Sequence, residues 1–221
     1  MSSMGSMSNA ERRYLPAAGR DVFLPLYDLI AKMLGADKAR QVLLDRVQFQ
    51  PQDRVLDIGC GTGTLAVLLK QKYPSLNIVG LDPDPNALAR AREKSTRAGV
   101  SVRFDRGFAD ALAYQNNSFD VVFSSFMFHH LESAHREKTL REVRRVLKAG
   151  GRFYLLDFEA SDDVSAHGPM RLFHRSKRLQ DNSAPRIVSL MEQAGLKDPR
   201  KIGTHPVFFG LGRAGIFEGV A

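Results

Sequence analysis

The segment Val55-Leu56-Asp57-Ile58-Gly59-Cys60-Gly61-Thr62-Gly63-Thr64 limits what this chain can fold into more than any other. The apolar run from Arg54 to Ile58 predicts a strand. Three glycines at alternate positions predict a turn that lets backbone approach a ligand closely, and the stretch from about Thr62 to Tyr73 predicts a helix beginning there. Strand, glycine turn and helix N-terminus in this order suit a nucleotide-like ligand. The dinucleotide pattern G-x-G-x-x-G is met only loosely, because Gly63 comes one residue early. The lysine and Ser/Thr of a phosphate-binding loop are missing.

After the turn, short apolar runs alternate with amphipathic stretches. Asn77 to Leu81, Ser101 to Asp105, Phe119 to Ser124 and Phe153 to Asp157 read as strands. Pro85 to Ala98, Ser133 to Lys148 and Pro185 to Ala194 read as helices, the second stopped by Gly150 and Gly151. Lys197 to Val220 reads as two final strands broken near Gly210 to Gly212. Such alternation predicts an α/β fold with a mostly parallel sheet and helices on both faces. The run Phe153-Tyr154-Leu155-Leu156 suits a strand buried on both sides.

Upstream, Val22, Leu26, Leu29 and Met33 recur at helical steps, and a second helix is expected from Asp37 to about Val47. Residues 14–50 are expected to form an N-terminal helical cap, with Tyr14, Phe23 and Tyr27 as its candidate contacts to a ligand pocket. Residues 1–13, rich in Ser, Met and Gly at the start, are expected to be a disordered tail. Residues 159–184 break the regular pattern and read as an insertion above the sheet, over a ligand pocket. A single domain spanning 14–221 accommodates all of this.

Composition narrows the function classes. The 221 residues, 43% hydrophobic and 25% charged, match a globular protein rather than a disordered or fibrous one. No apolar run is long enough for a membrane span, and the first twenty residues lack the apolar core of a secretory signal. The single cysteine, Cys60, excludes an internal disulfide and a multi-thiolate metal site, which points to a reducing, cytoplasmic setting. The formal charge of +8 suits anionic partners. Between His167 and Arg186, Arg171, Arg175, Lys177, Arg178 and Arg186 face one acid, Asp181, which favours an acidic acceptor or an anionic surface. Arg141, Arg144, Arg145 and Lys148 share a helical face and read as a solvated outer surface paired with Glu137 and Glu142.

Two acids flank the glycine turn. Asp82 ends the second strand, where a carboxylate can accept hydrogen bonds from ribose hydroxyls, cap the next helix, or do both. Asp57, before the first glycine, has no neighbouring cation in sequence and can bond turn amides. His129 and His130 follow the fourth strand at the edge where ligands sit in open α/β sheets; one of them, with His130 favoured, can act as a base or orient an acceptor, or can simply cap a loop. No metal site is expected, since adjacent histidines cannot readily chelate one ion and no third ligand is evident.

Together, Val55 to Ala66, Gly80-Leu81-Asp82, Leu112 to Asp120 and Leu147-Lys148-Ala149-Gly150-Gly151 resemble the class I S-adenosylmethionine-dependent methyltransferases, in the branch of the ubiquinone/menaquinone biosynthesis enzymes. The resemblance covers Asp53 to Asp157 closely and Pro185 onward loosely. It implies a Rossmann-like seven-stranded sheet with an antiparallel last strand. It also implies S-adenosylmethionine as methyl donor, with S-adenosylhomocysteine as product, and a small-molecule acceptor.

By the resemblance, Asp57, Gly59, Cys60, Gly61 and Gly63 form the first cofactor motif, which holds the methionine part. Asp82 takes the ribose hydroxyls, with Pro83 beside the adenine. An Asp-Ala pair that usually reads adenine aligns here on Phe108-Ala109, so Ala109 acts through its backbone and Phe108 through packing, with Asp110 two residues after Phe108. Ser125 and Phe126 face the methionine end. His130 is the candidate catalytic residue.

Other classes compete less well. A nucleic-acid methyltransferase would carry Asn/Asp-Pro-Pro-Tyr/Phe or a nucleophilic cysteine away from the cofactor turn, and neither is present, so a nucleic-acid partner is disfavoured. A nicotinamide oxidoreductase lacks its Tyr-x-x-x-Lys pair, and arsenic methylation needs several thiols. A catalytically silent S-adenosylmethionine-binding protein stays open, as does a homodimer through the late strands.

Overall fold

The computed structural model describes residues 35–160, 182–207 and 212–221. The expectations for the tail 1–13, for most of the cap including Tyr14, Phe23 and Tyr27, and for Arg171, Arg175, Lys177 and Arg178 lie outside the described residues. In chain order the elements are α1 (Ala36–Leu44), β1 (Arg54–Ile58), α2 (Thr64–Lys72), β2 (Asn77–Asp82), α3 (Pro85–Arg97), β3 (Arg103–Arg106), β4 (Phe119–Ser125), a 3₁₀ turn (Phe128–His130), α4 (Ser133–Val146), β5 (Leu147–Phe158), α5 (Ala184–Gln193), β6 (Lys197–Val207) and β7 (Gly212–Val220).

The strands form one seven-stranded sheet in the order β3-β2-β1-β4-β5-β7-β6. β1 to β5 pair in parallel, β7 runs antiparallel to β5, and β6 runs antiparallel to β7. β6 therefore points the same way as β5, and only the last strand is reversed, as the sequence implied. Strand periodicity divides the core into two layers. Val55, Ile78, Val121, Phe123, Tyr154 and Leu156 pack against α1, α2 and α3 on one face. Leu56, Val79, Val122, Phe153, Leu155 and Phe217 pack against α4 and α5 on the other.

The junction of α4 and β5 departs furthest from the sequence reading. The helix expected to reach Lys148 ends at Val146, and β5 begins at Leu147, six residues earlier than expected. Leu147 pairs with Phe119, and the register then shifts before Val121 meets Arg152, which leaves Gly150 at φ 77°. Pairing with the strand ladder outweighs the helical periodicity of Leu147 and Lys148.

The basic face of α4 is also not a simple solvated surface. Arg145 donates from Nη2 to the Leu112 carbonyl and from Nη1 to the Tyr114 carbonyl, each at 2.8 Å, while Glu142 accepts the Leu112 N–H at 2.8 Å. Lys148 pairs with Asp120 at 2.7 Å. Arg145 and Glu142 pin the loop between β3 and β4, while Lys148 ties β5 to β4.

Candidate active site

The strand order reverses direction between β1 and β4, since the chain steps outward through β2 and β3 and then returns to the other side of β1. In open parallel sheets this switch point opens a crevice at the strands' C-terminal ends. The glycine turn, Asp57, Asp82, Ser125 and the two histidines all stand at that edge.

Gly59, Gly61 and Gly63 have φ of 66°, 52° and 75°, a left-handed region that glycine enters without strain. Their surroundings separate them. A Cβ on Gly59 would lie 2.1 Å from Met127 Cγ, and one on Gly63 would lie 2.8 Å from Ala91 Cβ and 3.1 Å from the Phe104 ring. These two glycines let β4's extension and α3 close on the turn. A Cβ on Gly61 meets nothing within 4 Å among the described residues. That position faces open space, a cradle for a ligand.

The contrast predicts opposite outcomes for two alanine variants. Gly61→Ala should fold with roughly the 1–2 kcal/mol cost of a left-handed alanine and lose much of its ligand affinity. Gly63→Ala should add overpacking of about 1–3 kcal/mol to the same backbone cost and lower Tm further. Thermal melts beside ligand titrations check both.

Cys60 is buried, and its N–H donates to the Leu81 carbonyl at 3.0 Å, which ties the turn to β2. Burial pushes its thiol well above the usual range, so it stays protonated and unreactive.

Asp82 bridges turn and helix. Its Oδ2 accepts the Gly61 N–H at 2.8 Å and its Oδ1 the Asp84 N–H at 2.9 Å. Burial raises its carboxyl to about 6, while those two amide hydrogens oppose the rise. The helix-capping role falls to Asp84, whose side chain accepts the Asn86 N–H at 2.8 Å. Asp82 is therefore not needed as the cap. The Gly107 N–H reaches the Asp82 carbonyl at 3.1 Å and Arg106 Nε reaches the Pro83 carbonyl at 3.1 Å; half-buried Phe108 and Ala109 follow directly in the chain. The Asp110 carboxylate, 5% exposed, lies 3.7 Å from His135 Nε2 on α4.

Asp57 is 1% exposed, and among the described residues neither of its carboxylate oxygens has a hydrogen-bond partner. The alternative role for Asp57, as acceptor for the turn amides, is not filled. Burial raises its carboxyl to about 7, with Arg40 opposing and Asp82 adding to the rise. A buried, unpartnered carboxyl is costly to a folded core and marks a place where a cation belongs.

Ser125 and Phe126 close the same end. The Ser125 hydroxyl accepts from Arg40 Nε at 3.1 Å, and the Arg40 guanidinium stands 5.2 Å over the Phe126 ring. Phe126 itself has φ 55°, a strained left-handed conformation held by its N–H to the Leu156 carbonyl at 2.8 Å. Arg40, on α1 with 12% of its side chain exposed, is the residue that sequence reasoning missed. Its helix was expected, but only tertiary packing brings it to β4.

The two histidines stand together but in different settings. His129 Nδ1 lies 2.6 Å from Oδ1 of wholly buried Asp157, and the His130 ring lies 4.0 Å from that of His129. Among the described residues no group of three His, Cys, Asp or Glu could hold a metal ion.

Comparison with known proteins matches this architecture. Residues 55–151 match the family described as a methyltransferase domain. The demethylmenaquinone methyltransferase of Thermotoga maritima is 31% identical over 218 residues, covering 87% of this chain and 90% of that protein. The chain belongs to the class I S-adenosylmethionine-dependent methyltransferases.

The demethylmenaquinone methyltransferase of Thermus thermophilus is 40% identical over 137 residues, 61% of each chain. This methyltransferase chain thus spans about three fifths of the length of the curated relatives it matches first. A Haemonchus contortus phosphoethanolamine N-methyltransferase 2, solved with S-adenosyl-L-methionine, shares the fold at TM-score 0.73 and 18% identity, over 98% of this chain and 60% of that one.

The site fits the methyl donor of its family. An open glycine position, an unpartnered buried carboxyl and a second carboxyl with lone pairs remaining match the amino-acid and ribose ends of S-adenosylmethionine.

Proposed function

We propose that this chain transfers the methyl group of S-adenosylmethionine to a ring carbon of a quinol-type small molecule. The unpartnered Asp57 carboxyl beside the open Gly61 cradle carries this reading. The names of its Thermotoga and Thermus relatives, demethylmenaquinone methyltransferases, support the acceptor class. When bound, the donor supplies an electrophilic methyl group on a sulfonium.

The chain's residues do the rest. Asp57 pairs with the donor's ammonium and Arg40 with its carboxylate. Asp82 accepts the two ribose hydroxyls, and Pro83, Phe108 and Ala109 wall the adenine. Gly59 and Gly63 hold the turn closed, Cys60 anchors it, and Ser125 and Phe126 keep Arg40 in place. Holding acceptor and methyl in line is the main source of rate, worth roughly 7–11 kcal/mol. The single buried cysteine suits a reducing compartment and supports a cytoplasmic reaction. Among the described residues no helix is long and apolar enough to cross a membrane.

Removing the Arg40 partner of the donor's carboxylate should raise the Kd for S-adenosylhomocysteine about 10–100-fold in Arg40→Ala, as expected for losing one charge-assisted contact of about 1.5–3 kcal/mol. Calorimetry measures it. The function itself is tested by incubating the protein with S-adenosylmethionine and a short-chain demethylmenaquinol under anaerobic conditions, then weighing the product by mass spectrometry. A gain of one methylene equivalent, with S-adenosylhomocysteine formed, is the expected result. Tight binding of NADH in place of the adenosyl ligands would overturn the reading.

A further inference from the structure

Asp157, near the end of β5, is clamped from three sides. Its Oδ2 accepts the His129 N–H at 2.9 Å, its Oδ1 accepts the Phe158 N–H at 2.7 Å, and Oδ1 also lies 2.6 Å from His129 Nδ1. With two backbone hydrogens already directed at this carboxyl, the ring nitrogen supplies the third. Nδ1 is therefore the donor, and in the neutral imidazole the lone pair falls on Nε2. Nε2 makes no hydrogen bond among the described residues.

The Phe158 ring, 5.0 Å away, and the His130 ring, 4.0 Å away, fix the imidazole plane. The 3₁₀ turn that carries His129 follows directly on Ser125, Phe126 and Met127, and Met127 is the side chain packed against Gly59. A carboxylate-oriented imidazole thus stands on the same strand end that closes the donor's methionine site.

We propose that His129, oriented by Asp157, is the general base that takes the acceptor's hydroxyl proton. This rests on the methyl-transfer reading above and specifies its acceptor as a phenol- or enol-type molecule that reacts as its anion. An acceptor with a lone pair already free would need no such base.

Nε2 takes the O–H proton, and the O–H electron pair, delocalised to a ring carbon, forms the new bond to the methyl carbon. The methyl–sulfur bond breaks and its electron pair stays on sulfur. The ring carbon then loses its hydrogen as the oxygen regains one, and the imidazolium returns its proton to solvent, so one proton is released overall. Asp157 is a positioning residue, since it reaches the acceptor only through His129.

The test compares the full chain with His129→Gln, Asp157→Asn and His130→Gln, using a short-chain demethylmenaquinol as acceptor. His129→Gln should lower kcat by about 10²–10⁴-fold with KM and S-adenosylhomocysteine affinity unchanged. Asp157→Asn should lower kcat by about 10–100-fold and abolish the Nδ1–H signature of His129 in ¹⁵N NMR.

A kcat near the wild-type value in His129→Gln, or a loss that follows His130→Gln instead, overturns the proposal while methyl transfer stands. Wild-type protein whose His129 is found as the Nε2–H tautomer overturns it without any variant. Wild-type protein that binds S-adenosylhomocysteine yet leaves the quinol unmethylated overturns both the acceptor class and its base. Failure to bind S-adenosylhomocysteine overturns the function itself.

Discussion

Asp82→Ala should weaken S-adenosylhomocysteine binding by about 10²–10⁴-fold at pH 8, from the loss of two hydrogen bonds to a charged acceptor at about 1.5–3 kcal/mol each. At that pH the carboxyl, raised by burial to about 6, is ionised and can accept both ribose hydroxyls. A second effect acts in the same direction. Asp82 Oδ2 holds the Gly61 N–H at 2.8 Å, so its removal also frees the one turn glycine that faces open space. Asp82→Asn keeps one acceptor oxygen and should fall between the two. Stability should fall as well, because the Gly61 and Asp84 N–H groups lose their acceptor, at a cost of about 1–3 kcal/mol that removal of a buried carboxyl only partly offsets. Calorimetry with S-adenosylhomocysteine, beside a thermal melt, separates the two effects. Wild-type affinity in Asp82→Ala would remove the ribose from this strand end.

The alternation of apolar runs and amphipathic stretches is enough to read the sheet's parallel part, because each central strand is buried on both faces and so shows as a continuous run. Leu147 to Gly151 misleads for a physical reason: helical periodicity reaches Lys148, but the ladder with β4 claims Leu147 first. The glycine turn is legible because a left-handed backbone restricts residue choice locally. What the three glycines are for is not, since Gly59 and Gly63 are defined by Met127, Ala91 and Phe104, which lie far away in sequence.

The same limit hides Arg40, 85 residues from the Ser125 hydroxyl it bonds, and the pairing of His129 with Asp157, 28 residues apart. Adjacent histidines look alike in sequence; the approach of β5 is what sets the Asp157 carboxylate against the first of them. Arg145 shows the reverse case. Its spacing from Glu142 is visible, but its grip on the Leu112 and Tyr114 carbonyls depends on where the β3–β4 loop returns.

Asp57→Asn should make the protein more resistant to alkaline pH while impairing donor binding. The wild-type carboxyl sits at about 7 in the folded chain, against 3.8 ordinarily, chiefly because burial disfavours its charged form. Between those values the folded state holds a proton that the unfolded state has lost. The stability from that proton is fully present below pH 4 and falls as pH rises to about 7, by roughly 4 kcal/mol in all. The amide of the variant cannot ionise and escapes this loss.

From pH 5 to pH 8 the wild-type Tm should therefore drop relative to that of Asp57→Asn by roughly 5–10 °C for a chain of this size. Parallel Tm curves would show that burial leaves Asp57 ionised in the fold. Binding completes the argument from the opposite side. A donor ammonium placed against Asp57 stabilises the carboxylate, so ligand binding near pH 6.5 should expel the proton that burial retains. S-adenosylhomocysteine carries the same ammonium, and its titration in two buffers of different ionisation heat counts the protons released. Wild-type protein should release about three quarters of a proton more than Asp57→Asn, the fraction of the carboxyl still protonated at that pH. Equal counts would move the ammonium away from Asp57 and leave the most costly carboxyl of the site without its partner.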